Sequence, residues 1–281
     1  AEVAALAAGA VAAIVSTDPF DRTVFAAAPG LRVVARVGVG TDSVDLAAAT
    51  DAGVVVTTTP GANCETAADH ALALILAAAR RLLEHDASVR RGEWARGGAL
   101  TPWDLHQTTV GLVGCGEIGR AVLRRLEGFG VDVLVADPAV ADAVPLDEVL
   151  ARADIVSLHL PLSPATRNLI GERELAAMGP EAILVNTSRG AVVDEPALVR
   201  ALASGALRAA ALDVFADEPR IPAELLGMPN VLLTPHVGGL SERSIGEMTE
   251  RATRCVLDAL AGAPDPLTVA NPAVLGAGAA A

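Results

Sequence analysis

The sequence predicts an α/β fold built on doubly wound parallel sheet, and three observations lead there. Short β-rich apolar runs alternate with helical stretches along nearly the whole chain. The strand-like runs are continuously apolar rather than apolar at every second residue, as expected where both faces of a sheet are covered. Apolar residues make up 52% of the 281 positions but aromatic residues only 2%, so Ala, Val and Leu must fill the core, which suits helices lying close on sheets.

In the first part of the chain, 11–16, 31–37 and 54–57 read as strands, and 41–51 and 66–91 as helices. The second helix is apolar nearly all round at Ala71-Leu72-Ala73-Leu74-Ile75-Leu76, which predicts burial on every side, between domains. After a glycine-rich loop at 97–102 the alternation is cleaner. Strands are expected at 109–113, 131–136, 155–159, 182–186, 209–214 and 231–234, with helices at 118–129, 146–151, 173–178, 195–204 and 223–226. Their crossovers should be right-handed. A last helix at 241–261 precedes a Pro/Gly/Ala tail expected to lie loosely on the surface.

Charge and composition exclude several functions. A net charge of −13 argues against a nucleic-acid partner, which needs a basic footprint. No apolar run approaches the ~20 residues of a membrane span. The opening Ala1-Glu2-Val3 lacks the basic stretch of a secretory leader, and Cys64, Cys115 and Cys255 are scattered and odd in number. Free thiols in a reducing cytoplasm are expected, with no metal site.

The strongest local signal is 109–120, where Gly114, Gly116 and Gly119 fit G-x-G-x-x-G between an expected strand and an expected helix. Gly114 permits the tight turn, Gly116 lets the backbone approach a pyrophosphate, and Gly119 lets the helix pack closely. Backbone N–H groups and the helix dipole then face the anion. The next strand ends at Asp137, about 20 residues on, where a ribose-binding carboxylate is expected. A carboxylate there repels a 2′-phosphate, so NAD is expected over NADP.

Three further segments put polar groups at strand C-termini, where open α/β sheets bind ligands: Asn186-Thr187-Ser188-Arg189-Gly190, Leu212-Asp213-Val214-Phe215-Ala216-Asp217-Glu218-Pro219 and Thr234-Pro235-His236-Val237-Gly238-Gly239. Together with 36–45 and 159–166, and in this order, they make the chain resemble the D-isomer-specific 2-hydroxyacid dehydrogenases over nearly its whole length.

The resemblance implies an NAD-dependent enzyme that moves a hydride between nicotinamide and a small 2-hydroxy or 2-oxo acid. It implies that Arg189 clamps the substrate carboxylate and polarises the oxo group, as a planar guanidinium can. His236 would be the acid/base and Glu218 the carboxylate that orients its ring and favours its charged form. Val39 and Gly40 would bind the substrate carboxylate through backbone N–H groups. Asp213 would face the nicotinamide end of the cofactor, and His159 would pack against its adenosine side. The remaining cofactor contacts would come from Gly114, Gly116, Glu117, Ile118, Gly119, Asp137, Pro161, Thr166, Thr187 and Gly238. His70, His85 and His106 are left as structural or exposed.

The resemblance also implies two Rossmann-like domains, one discontinuous. Residues 1–91 and 237–281 would form the substrate domain, without the βα unit that relatives usually carry ahead of it, and 92–236 the NAD-binding domain. A homodimer with the active site in the cleft between domains is expected. Arg36 is either an ordinary strand residue or a contact to a substrate phosphate. Phosphoglycerate dehydrogenase and glyoxylate/hydroxypyruvate reductase are the two substrate expectations. The same fold also occurs in NAD(H)-sensing corepressors, which act by binding partners, so fold alone leaves that alternative open.

Overall fold

The computed structural model describes residues 2–277. It divides the chain into two compact units, Ala1–Asn63 with Leu240–Ala281, and Cys64–Gly239.

The first unit opens with α1 (Glu2–Ala7), β1 (Ala12–Val15), α2 (Arg22–Ala27), β2 (Val33–Arg36), α3 (Leu46–Asp51) and β3 (Val55–Thr57). The strands form a parallel sheet in the order β1-β2-β3, with Val33 beside Ala12 and Val55. Successive side chains of β2 point to opposite faces. Val34 joins the cluster of Phe20, Val24, Phe25 and Ala48, while Ala35 packs against Ala252 and Cys255 of the later α11 (Glu242–Leu260). Asp21 and Asp45 start α2 and α3 by accepting first-turn backbone N–H groups.

The second unit contains α4 (Cys64–Ala79), α5 (Leu82–Arg90), β4 (Thr109–Val113), α6 (Glu117–Glu127), β5 (Asp132–Ala136), α7 (Leu146–Arg152) and β6 (Ile155–Leu158). It continues with α8 (Glu172–Met178), β7 (Ile183–Asn186), α9 (Glu195–Ser204), β8 (Ala209–Leu212), α10 (Ala223–Leu226) and β9 (Val231–Leu233). Its six strands are all parallel, in the order β5-β4-β6-β7-β8-β9, with the chain reversing direction across the sheet at β4. Val110, Leu112, Ile155 and Val185 face α4 and α6, while Val156, Leu158, Leu184 and Leu212 face α7, α8 and α9. Both faces are covered, which is why these strands read as continuous apolar runs.

Most elements of the second unit lie within two residues of the sequence expectation. Four departures have physical causes. The expected helix 66–91 is two helices, because Arg81 takes a left-handed conformation at φ +51 and interrupts the ladder between α4 and α5. The expected boundary at 91/92 differs from the observed 63/64, because Ala68, Ala71, Leu74 and Ile75 of α4 bury against the six-stranded sheet. Helix α3 begins at Leu46 rather than near 41, since Asp45 caps it. The C-terminal tail is not loose as far as it is described, residues 278–281 of the expected tail lying outside the described residues: the Asn271 side chain accepts from Val56 N–H at 2.8 Å and donates to Val54 O at 2.9 Å. A side-chain amide thereby satisfies the edge of β3 as a neighbouring strand would, and Ala270 N–H adds a bond to Val56 O before α12 (Ala273–Ala277). Helices α1 and α2 are too short to show a periodicity in the sequence.

Candidate active site

At the C-terminal end of β4 the chain turns through Gly114 into α6, with Gly116 as the residue before the helix. Gly114 has φ +91, and a Cβ on it would sit 2.5 Å from His159 O. A Cβ on Gly119 would sit 2.4 Å from Gly114 O, so the helix closes on the turn only with glycine at that position. Gly116 is different: a Cβ there would meet nothing within 4 Å. The start of α6 is therefore open, and a helix start presents backbone N–H groups suited to an anion.

Asp137, just beyond β5, ties into this turn. Its Oδ2 accepts from Cys115 N–H at 2.6 Å and its Oδ1 from Ala139 N–H at 2.8 Å. Those bonds, with the charge of Arg120, outweigh partial burial and hold its pKa below the ordinary carboxylate value. Asp137 is therefore an anion at any neutral pH.

The strand that follows contributes His159, whose Nε2 lies 2.9 Å from Ser157 Oγ. Burial pushes its pKa down to about 4, so the ring is neutral. Its Nδ1 and the Thr187 Oγ1 are buried without a hydrogen-bond partner among the described residues. Thr166 is turned inward on its own loop, where its Oγ1 donates to Pro161 O at 2.7 Å and accepts from Ser163 N–H.

The second cluster gathers the segments after β7, β8 and β9. Asn186, buried at the end of β7, accepts from Ser188 N–H and Oγ and donates to Arg189 O at 3.0 Å, shaping the turn that carries Arg189. Gly190 packs against the chain at Phe215, where a Cβ would fall 1.9 Å from the carbonyl carbon, so the two turns fit together only with glycine there. Glu218 accepts from Phe215 N–H through Oε1 at 3.0 Å and meets His236 Nδ1 through Oε2 at 2.7 Å. Burial alone would raise the Glu218 pKa. The His236 hydrogen bond, the Phe215 N–H and the nearby charges of His236 and Arg189 outweigh burial and bring the pKa below the usual value.

His236 has φ +53, uncommon for a residue with a Cβ, and its N–H is held by Asp213 O and Thr234 O. Asp213 is 1% exposed, and both its oxygens are engaged within the protein: Oδ1 by Thr234 Oγ1 and Val237 N–H, Oδ2 by Gly238 N–H. Asp213, the residue expected to face the nicotinamide end of the cofactor, thus also holds the loop that carries His236.

The structure thus brings Arg189, Glu218 and His236 into one electrostatic cluster, and Gly114, Gly116, Glu117, Ile118, Gly119 and Asp137 into one cradle, with His159 against its floor. Val39 and Gly40 belong to the other unit, in the turn after β2, where Gly38 N–H donates to Thr59 Oγ1 at 2.9 Å. Sequence reasoning assigned no role to Asn186, Gly190 or Thr234, although all three stand inside its motifs, and it set His70 aside. Cys64, Cys115 and Cys255 are buried and none is in a disulfide, and no group of metal-ligating side chains occurs among the described residues. Nor is any described helix long and apolar enough to cross a membrane.

The cradle fits a nicotinamide dinucleotide: open space where a pyrophosphate would lie, an anionic carboxylate at the ribose position, and buried polar atoms awaiting partners. Comparison with known proteins agrees. The sequence profile of the D-isomer specific 2-hydroxyacid dehydrogenase NAD binding domain matches residues 72–238. A glyoxylate reductase of Korarchaeum cryptofilum is 45% identical over 247 residues, 83% of this chain and 74% of that one. A D-3-phosphoglycerate dehydrogenase of Mycobacterium leprae is 44% identical over 269 residues, 90% of this chain, which spans 50% of that longer protein. The crystal structure of a protein from Thermus thermophilus, 42% identical, superposes with a TM-score of 0.88 over 96% of this chain and 88% of that one. The chain belongs to the D-isomer-specific 2-hydroxyacid dehydrogenase family.

Proposed function

We propose that this chain is an NADH-dependent reductase of small 2-oxo acids, reversible toward the D-2-hydroxy acid, with His236 as acid/base, Glu218 as its partner and Arg189 as the substrate clamp. The observation that carries the reading is the 2.7 Å contact of His236 Nδ1 with Glu218 Oε2, both side chains about one-third exposed and close enough to Arg189 for its charge to act on Glu218. When bound, the nicotinamide supplies or accepts the hydride.

The residues divide the remaining work. Glu218 accepts a hydrogen bond from Nδ1–H, which leaves Nε2 as the ring atom that gives a proton to the nascent alkoxide oxygen in reduction and takes it back in oxidation. Arg189 pairs with the substrate carboxylate and draws charge toward the oxo oxygen, stabilising the negative charge that grows there. Val39 and Gly40 remain the proposed backbone donors to that carboxylate. The cofactor would lie along Gly114, Gly116, Glu117, Ile118 and Gly119, with His159, Pro161, Thr166, Thr187 and Gly238 beside it. Asp137, held anionic, favours the ribose hydroxyls of NAD over the 2′-phosphate of NADP.

The two sequence relatives named above bear the names of two activities, so glyoxylate, hydroxypyruvate and 3-phosphohydroxypyruvate are the acids to try, with pyruvate and phenylpyruvate as controls. Loss of NADH absorbance with at least one acid, and a markedly lower kcat/KM with NADPH, is the expected result. Tight NADH binding without turnover of any acid would overturn the enzyme reading, and equal use of both cofactors would overturn the role of Asp137. We further propose a cytoplasmic homodimer; exposed Leu82, Leu83, Val89 and Trp94 around α5 suit a self-association surface. Sedimentation of a single monomeric species at micromolar concentration would refute the dimer.

A further inference from the structure

The loop that carries His236 is held from a direction the motifs do not announce. His70, on α4, reaches across 164 residues of sequence to place Nε2 3.1 Å from Thr234 Oγ1 and 3.4 Å from Asp213 Oδ1. Thr234 has one hydroxyl proton, and its 2.6 Å contact to Asp213 Oδ1 uses it, since a carboxylate can only accept. Thr234 Oγ1 must then accept from His70, so Nε2 is the protonated nitrogen of that ring. The result is a directed chain: His70 Nε2–H to Thr234 Oγ1–H to Asp213, whose carboxylate also receives Val237 N–H at 2.9 Å and Gly238 N–H at 2.8 Å. These two amides directly follow His236. A Cβ on Gly238 would lie 2.8 Å from Asp213 Oδ2 and 3.2 Å from His70 Cδ2, so the loop is fitted to both side chains at once.

We propose that His70 is a positioning residue for His236, acting through Thr234 and Asp213 to hold the acid/base ring in its left-handed backbone setting. Asp213 is a carboxylate almost wholly removed from water, and each donor it loses leaves charge unsatisfied. Without the His70 bond, the Thr234 hydroxyl is free to turn, the Asp213 carboxylate loses one of its fixed donors, and the amides of Val237 and Gly238 lose their fixed acceptor. The ring of His236 then samples settings in which Nε2 misses the substrate oxygen. The inference rests on the reading of His236 as the acid/base.

Two measurements test it. In the cofactor-free protein, His70→Ala is expected to speed amide hydrogen exchange at Val237 and Gly238 by about tenfold while leaving the amides of β4 and α6 unchanged. With NADH and the best acid of the panel above, His70→Ala is expected to lower kcat about tenfold with KM for the acid within about twofold, and to raise the isotope effect from 4-deuterated NADH, because misplacement slows the chemical step. His70→Gln, whose amide N–H can donate to Thr234, restores most of kcat. If His70→Ala is poorly folded, Thr234→Val removes the middle link at constant volume and Thr234→Ser restores it. Unchanged exchange at Val237 and Gly238, wild-type kcat in the Ala or Val variant, or equal loss in His70→Gln and His70→Ala each overturns the proposal. His236→Ala run alongside keeps the two ideas apart: if it turns over like wild type, the acid/base reading fails, whatever His70 does.

Discussion

The glycine cradle after β4 and the loop that carries His236 sit at C-terminal ends of strands in the same six-stranded sheet, yet they are built in opposite ways. The cradle is local. Its glycines, its helix start and its carboxylate all fall between Gly114 and Asp137, and backbone geometry does most of the work. The loop is assembled from far apart: Asn186 shapes the Arg189 turn, Gly190 seats it against Phe215, and His70, Asp213 and Thr234 hold the residues around His236. Local backbone devices tolerate neighbours poorly but depend on few of them, whereas the loop depends on a network whose members come from four separate stretches of the chain.

The comparison breaks first at His236. His236→Ala is expected to lower kcat by roughly 10²–10⁴, the range for a positioned general acid, while NADH affinity stays within about twofold because the cradle does not use the ring. Stopped-flow binding together with steady-state rates checks both halves. A fall in NADH affinity as large as the fall in kcat would mean that the two regions are not separate.

The cradle has its own weak point, visible in acid. His159 titrates at about 4 in the folded protein against 6.5 for an ordinary imidazole, so between those pH values the unfolded chain holds a proton that the folded one does not. Stability therefore falls as pH drops through the window from 6.5 to 4, and the full loss, about 3 kcal/mol, is present below it. His159→Gln removes this slope. Denaturant melts of the two proteins at about pH 7, 5.5 and 4.5 give the test, since carboxylates shared by both cancel in the difference. Parallel pH dependences would show that His159 is not buried in its neutral form.

Two glycines sharpen the contrast between a cradle that folds and a cradle that binds. Gly114→Ala places a Cβ 2.5 Å from His159 O at φ +91 and is expected to cost about 1–3 kcal/mol of stability. Gly116→Ala meets nothing in the protein, so its melting temperature is expected to match wild type while NADH affinity falls about tenfold, because the methyl occupies the space meant for the pyrophosphate. A wild-type affinity in Gly116→Ala would move the phosphate site elsewhere.

How much of this was legible in the sequence follows the same division. The turn at Gly114–Gly119 and the carboxylate at Asp137 could be read because their meaning is carried by spacing along one segment. Arg189, Glu218 and His236 stand in short polar motifs after strands, and it was the resemblance of those motifs, in their order, to one family that gave them roles; nothing local shows that they meet. Three features were hidden. Arg81 breaks a stretch whose composition is helical throughout, because a backbone setting outweighs propensity there. Asn271 substitutes for a strand edge with a side-chain amide, which no β pattern encodes. His70 sits on a helix whose apolar face fixes its burial, and its polar contact arises only when β8 and β9 deliver Asp213 and Thr234 beside it.

The smallest expected effect is the most specific to the pair itself. Glu218 is held ionised by its bonds to His236 and Phe215 N–H and by the charges around it, against the cost of its partial burial. As a carboxylate it stabilises the charged imidazole that must donate the proton in reduction. Glu218→Gln keeps the shape and one acceptor but removes the charge beside the ring, so kcat for reduction is expected to fall about fivefold for a pair this exposed, with NADH affinity within about twofold. Glu218→Ala, which removes the acceptor as well as the charge, is expected to lose more. Steady-state rates of the two variants give the test: equal losses would mean that Glu218 serves through its charge alone, and wild-type kcat in Glu218→Gln would mean that it serves only to place the ring.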